Sequence, residues 1–524
     1  MATNKFMSAL KDGTNYTCTE NGAVTRKDTG SSLYDMFALG ASMRNRPDND
    51  VILMFKKAYD ENPEYALKCL FYIRDIESGT GERRFFRLCM HWLASYDTEA
   101  AKRNMKYIID YGRVDDLYCF VDTPLENVMF KYLKQLTDEA TKELKRVNKK
   151  YEQNKTLVFK WLPSENTSSQ KTRELARKTR KAFGMSSKQY RKMLSWGRKQ
   201  TKILERYMSA NQWEKIDFSR IPSKAGIIYK NAFARHDVER AKRGVRTYED
   251  FAKDTTTKVN AKTLYPYEVV SKVVNLISRH GGGWLSQHSY SFNGTDTDRA
   301  IINKYWANLK DYFDKATLDA LCVVDTSASM TGPAANAPIN IAISLGLYCA
   351  ERNNGPFHNH YISFSSKPQL IETEGVDFVD KVERIYSTNL CENTNIEATF
   401  DLILNTAIKN HLSQEDLFKN LIVISDMEFD QARGYYHWSH DSIVPKETLI
   451  EGIRRKWNEY GYQMPNLVFW NVDARQNNIP MKDEDGITFV SGASPVVFDM
   501  LMSGKSSLDL MYDKLDSKRY APIH

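Results

Sequence analysis

The run Leu321-Cys-Val-Val-Asp-Thr-Ser-Ala-Ser-Met330 constrains this chain more than any other stretch. Its apolar, β-favouring residues stop abruptly at Asp325, and hydroxyls follow at Ser327 and Ser329. Strands buried in parallel sheets read as unbroken apolar runs, and α/β proteins keep their ligand sites at the carboxyl ends of such strands. A strand that ends in a carboxylate therefore delivers that group to the ligand edge of a sheet. The two serines can turn back in the following loop and aim their oxygens at the same point. Hard oxygen donors of this kind suit Mg²⁺, Mn²⁺ or Ca²⁺ rather than zinc.

Two later loops supply matching donors. Glu392-Asn-Thr-Asn-Ile396 places Thr394 in a polar loop just before a helical pattern of Ile396, Thr399, Phe400, Ile403, Leu404 and Ala407. Asn420-Leu-Ile-Val-Ile-Ser-Asp426 is a second apolar strand ending in an acid. The set resembles the D-x-S-x-S motif of von Willebrand factor A (vWA) domains, whose metal-ion-dependent adhesion site is completed by a threonine and an aspartate further along. The resemblance implies one divalent cation held by Asp325, Ser327, Ser329, Thr394 and Asp426. A cation with few direct carboxylates keeps net positive charge and an open position, which an acidic group of a partner protein can fill. Glu428, two residues past Asp426, is near enough for an outer-shell ligand but reads rather as a solvated acid.

Around these motifs the pattern alternates. Strands are expected at 320–324, 360–364, 420–425, 466–471 and 487–491. Helices are expected at 338–350, 376–385, 396–411, 446–460 and from 495 toward 510. That is a doubly wound α/β domain over residues 316–510, followed by a C-terminal tail at 511–524. Residues 1–30 read as an irregular arm. From 31 to 315 the periodicity is helical, with short helices joined by tight turns in the manner of a HEAT-like α-solenoid. A chain of 524 residues is too long for a single core, so several domains are expected.

Charge is unevenly placed. Residues 142–206 hold 20 Lys and Arg against 5 Glu and no Asp, a net +15, whereas the whole chain is only +8. The remainder is therefore mildly acidic, and a basic segment within it points to a polyanion. Candidate contacts are Arg177, Lys178, Arg180 and Lys181 on one basic helix, and Arg191, Lys192, Arg198 and Lys199 on the next, which starts at an N-cap Ser186. Tyr190 and Trp196 interleave with the second set. Cations among aromatics suit the phosphates and unstacked bases of single-stranded RNA. Burial against a neighbouring helix is the competing role for either ring.

Two further segments carry a second resemblance. Tyr72-Ile-Arg-Asp-Ile-Glu-Ser-Gly-Thr-Gly-Glu-Arg-Arg-Phe-Phe-Arg87 looks like a helix junction of TROVE (Ro-type) domains, and Ile108-Ile-Asp-Tyr-Gly-Arg-Val-Asp-Asp-Leu117 is similar to a turn of the same family. TROVE proteins join a ring of HEAT-like helices to a C-terminal vWA domain, the order expected here. Leu264-Tyr-Pro-Tyr-Glu268 resembles a segment of an uncharacterised branch of that family known in plants, bacteria and large DNA viruses. The basic stretch 140–260 departs from the TROVE pattern and reads as an insertion or an elaborated helical hairpin.

Other classes fall away. No apolar run approaches the roughly 20 residues that span a bilayer, and the first residues lack a signal-peptide core. The seven cysteines, at 18, 69, 89, 119, 322, 349 and 391, are scattered and never spaced C-x-x-C. They read as reduced core cysteines of a soluble cytoplasmic protein. There is no phosphate-binding G-x-x-x-x-G-K-[ST] motif, and the hydroxyl-rich metal shell argues against a nuclease. The expectation is a non-catalytic RNA-binding protein of Ro type with a partner-binding vWA domain. The alternative is a scaffold whose vWA domain docks an acidic partner, such as an AAA+ ATPase, without RNA.

Overall fold

The computed structural model describes residues 12–145, 157–201, 203–280, 289–313, 318–364, 367–387, 394–431, 447–501 and 507–524. They form two compact units: Met1–Asn62 with Ala261–Lys514, and Pro63–Asn260 with Leu515–His524.

The first unit opens with a hairpin of β1 (Tyr16–Cys18) and β2 (Val24–Arg26). A second antiparallel pair, β3 (Ile277–His280) and β4 (Ser289–Phe292), lies between helices Pro266–Val274 and Asp296–Ala307. The main sheet follows: β5 (Ala320–Asp325), β6 (His360–Phe364), β7 (Gln369–Glu372), β8 (Asn420–Ser425), β9 (Asn466–Asn471) and β10 (Ile487–Ser491). Its spatial order is β10-β9-β8-β5-β6-β7. All neighbours are parallel except β7, an antiparallel edge. The chain runs outward from β5 in one direction and outward from β8 in the other. The crevice at such a reversal is where open α/β sheets bind ligands.

The central strands are apolar because both of their faces are covered. Leu321, Leu421 and Leu467 stand in register across β5, β8 and β9, and all three are buried. Helix Pro338–Arg352 packs on β5, β6 and β8, with Pro338 at its first turn. Gly346 permits that approach, since a Cβ there would lie 2.3 Å from Val324 Cγ2. Helix Ser32–Leu39 packs on β10, where Tyr34 Oη accepts the Phe489 N–H at 3.3 Å.

The sheet therefore draws on sequence far from residues 316–510. Helix 32–39 packs on β10 and helix 266–274 packs on helix Pro338–Arg352, so the boundary between the compact units does not fall near 315. The expected irregular arm contains the β1–β2 hairpin. The two hairpins and β7 were not expected from periodicity, because three or four mixed residues are too few to display it. The expected helix from 495 toward 510 is present as Val496–Leu501 and Ser507–Leu515, with 502–506 outside the described residues.

The second unit is helical, with no strand among its described residues. Helices Pro63–Arg74, Arg83–Tyr96 and Glu126–Lys145 lead into the basic pair Gln170–Ala182 and Ser187–Gln200. At its centre Arg74, 2% exposed, donates to Asp116 Oδ2 at 2.6 Å. Arg87 Nε takes the other oxygen of Asp116 at 2.6 Å, and Arg87 Nη2 meets Asp115 at 2.8 Å. Residues 515–524 belong to this core and are not a free tail. Tyr520 and Ile523 are fully buried, and the Tyr520 hydroxyl donates to Asp75 at 3.0 Å. The six described cysteines are unpaired, and Cys391 lies outside the described residues. Among the described residues no helix is long and apolar enough to cross a membrane.

Gly112 makes the buried ion pairs possible. A Cβ at this position would stand 2.5 Å from Asp116 Oδ2 and 2.9 Å from Arg74 Nε. Gly112→Ala should push these charges apart without a route to water, costing roughly 2–5 kcal/mol. Chemical denaturation should show that loss; a midpoint within error of the parent would contradict it.

Candidate functional site

β5 carries Asp325 to the sheet edge, and β8 places Asp426 directly after its last residue on the neighbouring parallel strand. Both carboxylates are buried, at 0% and 1% exposure. Asp325 Oδ1 accepts the Ser327 N–H at 2.9 Å, and Oδ2 accepts the Ser425 hydroxyl at 2.5 Å. That turn brings Ser327 Oγ and Ser329 Oγ to 3.0 Å from each other. Thr394 is buried, and its carbonyl accepts the Asp430 N–H at 2.9 Å, which ties its loop to the segment after Asp426. Residues 388–393, just before it, lie outside the described residues. Two loops at the switch point thus carry Asp325, Ser327, Ser329 and Asp426, and the Thr394 loop joins the second of them through its backbone.

The electrostatics are those of a site short of positive charge. Burial first, and then the charge of Asp426, push the Asp325 carboxyl up to about 7. Two close carboxylates in a poorly solvated place cannot both ionise freely. Among the described residues no three His, Cys, Asp or Glu side chains gather as a metal-ligand set. A cation here would rest on two carboxylates and the hydroxyls of Ser327, Ser329 and Thr394. That donor set fits a hard divalent ion and leaves it incompletely neutralised.

Three participants were not apparent from sequence. Ser425 bonds Asp325, as above. Arg475 Nη2 donates to Asp426 Oδ2 at 2.7 Å, and its Nη1 meets Glu20 Oε2 at 2.6 Å. Glu428 is not a solvated acid. It is 1% exposed, accepts the Glu20 N–H at 2.7 Å and the Asn478 amide at 2.9 Å, and burial first pushes its carboxyl up to about 7. These partners lie tens to hundreds of residues away, and no local period announces them.

In the helical unit the basic helices form, the second with the expected cap at Ser186 and the first capped by Ser169. The candidate contacts then divide. Arg177, Lys181, Arg191, Lys192 and Lys199 are exposed. Lys178 is held by Asp122 and Glu126 at 2.5 and 3.2 Å, and Arg180 by Glu165 at 2.8 Å. Arg198 is a strut, donating to the carbonyls of Phe159 and Leu162 at 2.9 and 2.8 Å and to Ser164 Oγ at 2.8 Å. Tyr190 is not a stacking platform. It is fully buried against Phe183, and its hydroxyl donates to the Pro163 carbonyl at 2.9 Å. Trp196 is half-buried and meets Phe159 edge to face, with ring centroids 5.9 Å apart.

The chain is thus a two-unit protein with a cluster of buried acids and hydroxyls at the switch point of an α/β sheet. Residues 19–182 and 156–317 match the family described as Domain of unknown function (DUF2828), and the chain belongs to that family, which spans more than half of it. Residues 319–520 match Domain of unknown function (DUF7788). The chain is similar to Uncharacterized protein L728 of Acanthamoeba polyphaga mimivirus. The two are 29% identical over 523 residues, covering 94% of this chain and 85% of that protein.

The raised Asp325 carboxyl has a consequence for stability. Its folded value lies above its unfolded one, so the group disfavours folding increasingly as pH rises from about 4 through about 7. Asp325→Asn removes this burden. In the metal-free protein it should stabilise by roughly 1–4 kcal/mol at pH 8, and by less at pH 5. Thermal melts at the two pH values read the difference; an equal gain at both would count against it.

Proposed function

We propose that this chain is a non-catalytic, cation-dependent binding protein whose α/β unit is a vWA domain. Mg²⁺, or Mn²⁺ or Ca²⁺ in its place, is held by Asp325, Ser327, Ser329 and Thr394, with Asp426 direct or through water. An acidic group of a protein partner takes the open position. The observation that carries this reading is the pair of buried carboxylates on adjacent parallel strands at the switch point, with two hydroxyls converging beside them. A hydroxyl-rich shell with two carboxylates leaves charge for a ligand to satisfy, and this favours binding over hydrolysis.

A second ligand is favoured by the exposed cations of helices Gln170–Ala182 and Ser187–Gln200. We read the helical unit as HEAT-like and these residues as contacts to the phosphates of single-stranded RNA, as the TROVE resemblance implies. Recognition there rests on Arg177, Lys181, Arg191, Lys192 and Lys199, with the half-buried Trp196 as the one remaining aromatic candidate. Without RNA affinity the chain is a scaffold built on the cation site alone.

Isothermal titration with Mg²⁺ or Mn²⁺ tests the first reading. Asp325→Ala should abolish binding while leaving the fold intact; unchanged affinity in the variant would refute the assignment. Filter binding at about 100 mM salt tests the second. Neutralising Arg177, Lys181, Arg191 and Lys192 together should weaken single-strand binding across sequences, and each lost phosphate contact should lower the log–log salt slope by roughly 0.7. Chelation should spare that affinity. Its loss in EDTA, or no affinity for any single strand, leaves the scaffold.

A further inference from the structure

The loop after Asp426 is held from the N-terminus of the same unit. Thr19 Oγ1 donates to the Phe429 carbonyl at 2.7 Å, and Asn21 Nδ2 to the Glu428 carbonyl at 2.7 Å. The Glu20 N–H reaches the Glu428 carboxylate at 2.7 Å, and Gly22 forms an antiparallel bridge with Asp430. All of these contacts come from the turn of the β1–β2 hairpin. Arg475, four residues past the end of β9, joins hairpin and site, with one terminal nitrogen on Glu20 and the other on Asp426.

Two features show that this placement carries a local cost. Arg475 Nε is buried without an acceptor among the described residues, so its placement forgoes a hydrogen bond. Met427, between Asp426 and Glu428, has a φ of 64°, a strained value for a residue with a side chain. A guanidinium and a divalent cation drawn to the same carboxylate of Asp426 also repel each other, so each weakens the other's hold there.

We infer that Arg475 is a tethered counter-ion that occupies Asp426 until a divalent cation takes its place, so that cation entry loosens the β1–β2 hairpin. The inference rests on the cation-site reading above and adds its regulation. Glu20 is the other end of the tether: once Arg475 leaves Asp426, the hairpin loses its link to the site while keeping its bonds to the backbone of the following loop. The site and the hairpin are then coupled in both directions, as linkage requires.

Titration of the full chain with Mg²⁺ and hydrogen exchange over residues 16–26 test the coupling. Arg475→Gln should bind Mg²⁺ more tightly than the parent, by roughly 5- to 150-fold. In the parent, Mg²⁺ should speed exchange of the hairpin amides; in Arg475→Gln exchange should be fast at the outset and indifferent to Mg²⁺. Glu20→Gln weakens the tether but leaves Arg475 on Asp426, so it should loosen the hairpin and, by the same linkage, tighten Mg²⁺ by less than Arg475→Gln does. The inference is overturned if Arg475→Gln binds Mg²⁺ no better than the parent, if Mg²⁺ leaves hairpin exchange in the parent unchanged, or if Glu20→Gln tightens Mg²⁺ as much as Arg475→Gln. In each of those cases, binding by the parent that Asp325→Ala abolishes still upholds the cation site. A parent that binds neither Mg²⁺ nor Mn²⁺ overturns both.

Discussion

Two carboxylates brought out of water at the ends of adjacent strands need positive charge close by. Asp325 and Asp426 set this condition, and their surroundings answer it in layers. The Ser327 N–H and the Ser425 hydroxyl serve Asp325, while the Glu428 N–H and the Arg475 guanidinium serve Asp426. One guanidinium shared with Glu20 neutralises only part of the charge, and the Asp325 carboxyl stays raised. The positions follow from topology: β5 and β8 pair in parallel at the reversal of the sheet, so the two acids come together whatever loops follow them.

The helical unit treats its buried charges differently. Asp116 receives Arg74, Arg87 and the Arg113 N–H, and Asp115 receives Arg87 and Arg113. Arg113 also sits over Trp161, 3.9 Å from the ring centre. Here the acids are fully paired, and Gly112 leaves the room they need. These residues come from the two segments that resemble TROVE turns. In this chain they build the core of the unit, so a packing need accounts for their pattern and it does not by itself point to a ligand. The case for RNA has to stand on the exposed cations alone.

The same distinction separates what could be read from sequence from what could not. β8, β9 and β10 span the residues expected, because a strand covered on both faces is an unbroken apolar run with sharp ends. The positions of Asp325, Thr394 and Asp426 were legible because each closes or follows such a strand or precedes a helix. Tyr190 was misjudged on its sequence neighbours, although helical spacing held the answer. Tyr190, Leu194 and Gly197 share one face and are buried, and Gly197 lets Phe159 approach, where a Cβ would be 2.1 Å from its ring. Arg191, Lys192 and Lys199 lie off that face and are exposed. Arg475 offered no comparable signal, since its partners at Glu20 and Asp426 are distant and its own loop has no period.

Packing also explains why the family boundary and the compact units differ. The two matched families meet between residues 317 and 319, yet the sheet takes its covering helices from both sides of that line. Helix Ser32–Leu39 closes the β10 edge through Tyr34, and the turn after it reaches the loop that carries Arg475: the Ala474 N–H donates to the Ser42 carbonyl at 3.1 Å, and Asn45 donates to Asp473 at 3.0 Å. A fragment beginning at residue 319 would leave β10 as an open edge, a ready template for pairing with another chain. It would also remove Glu20 and the other contacts that position Arg475 and Glu428. The cluster around Asp325 and Asp426 is therefore a property of residues on both sides of the boundary, and its charge balance holds only when the N-terminal segment is in place.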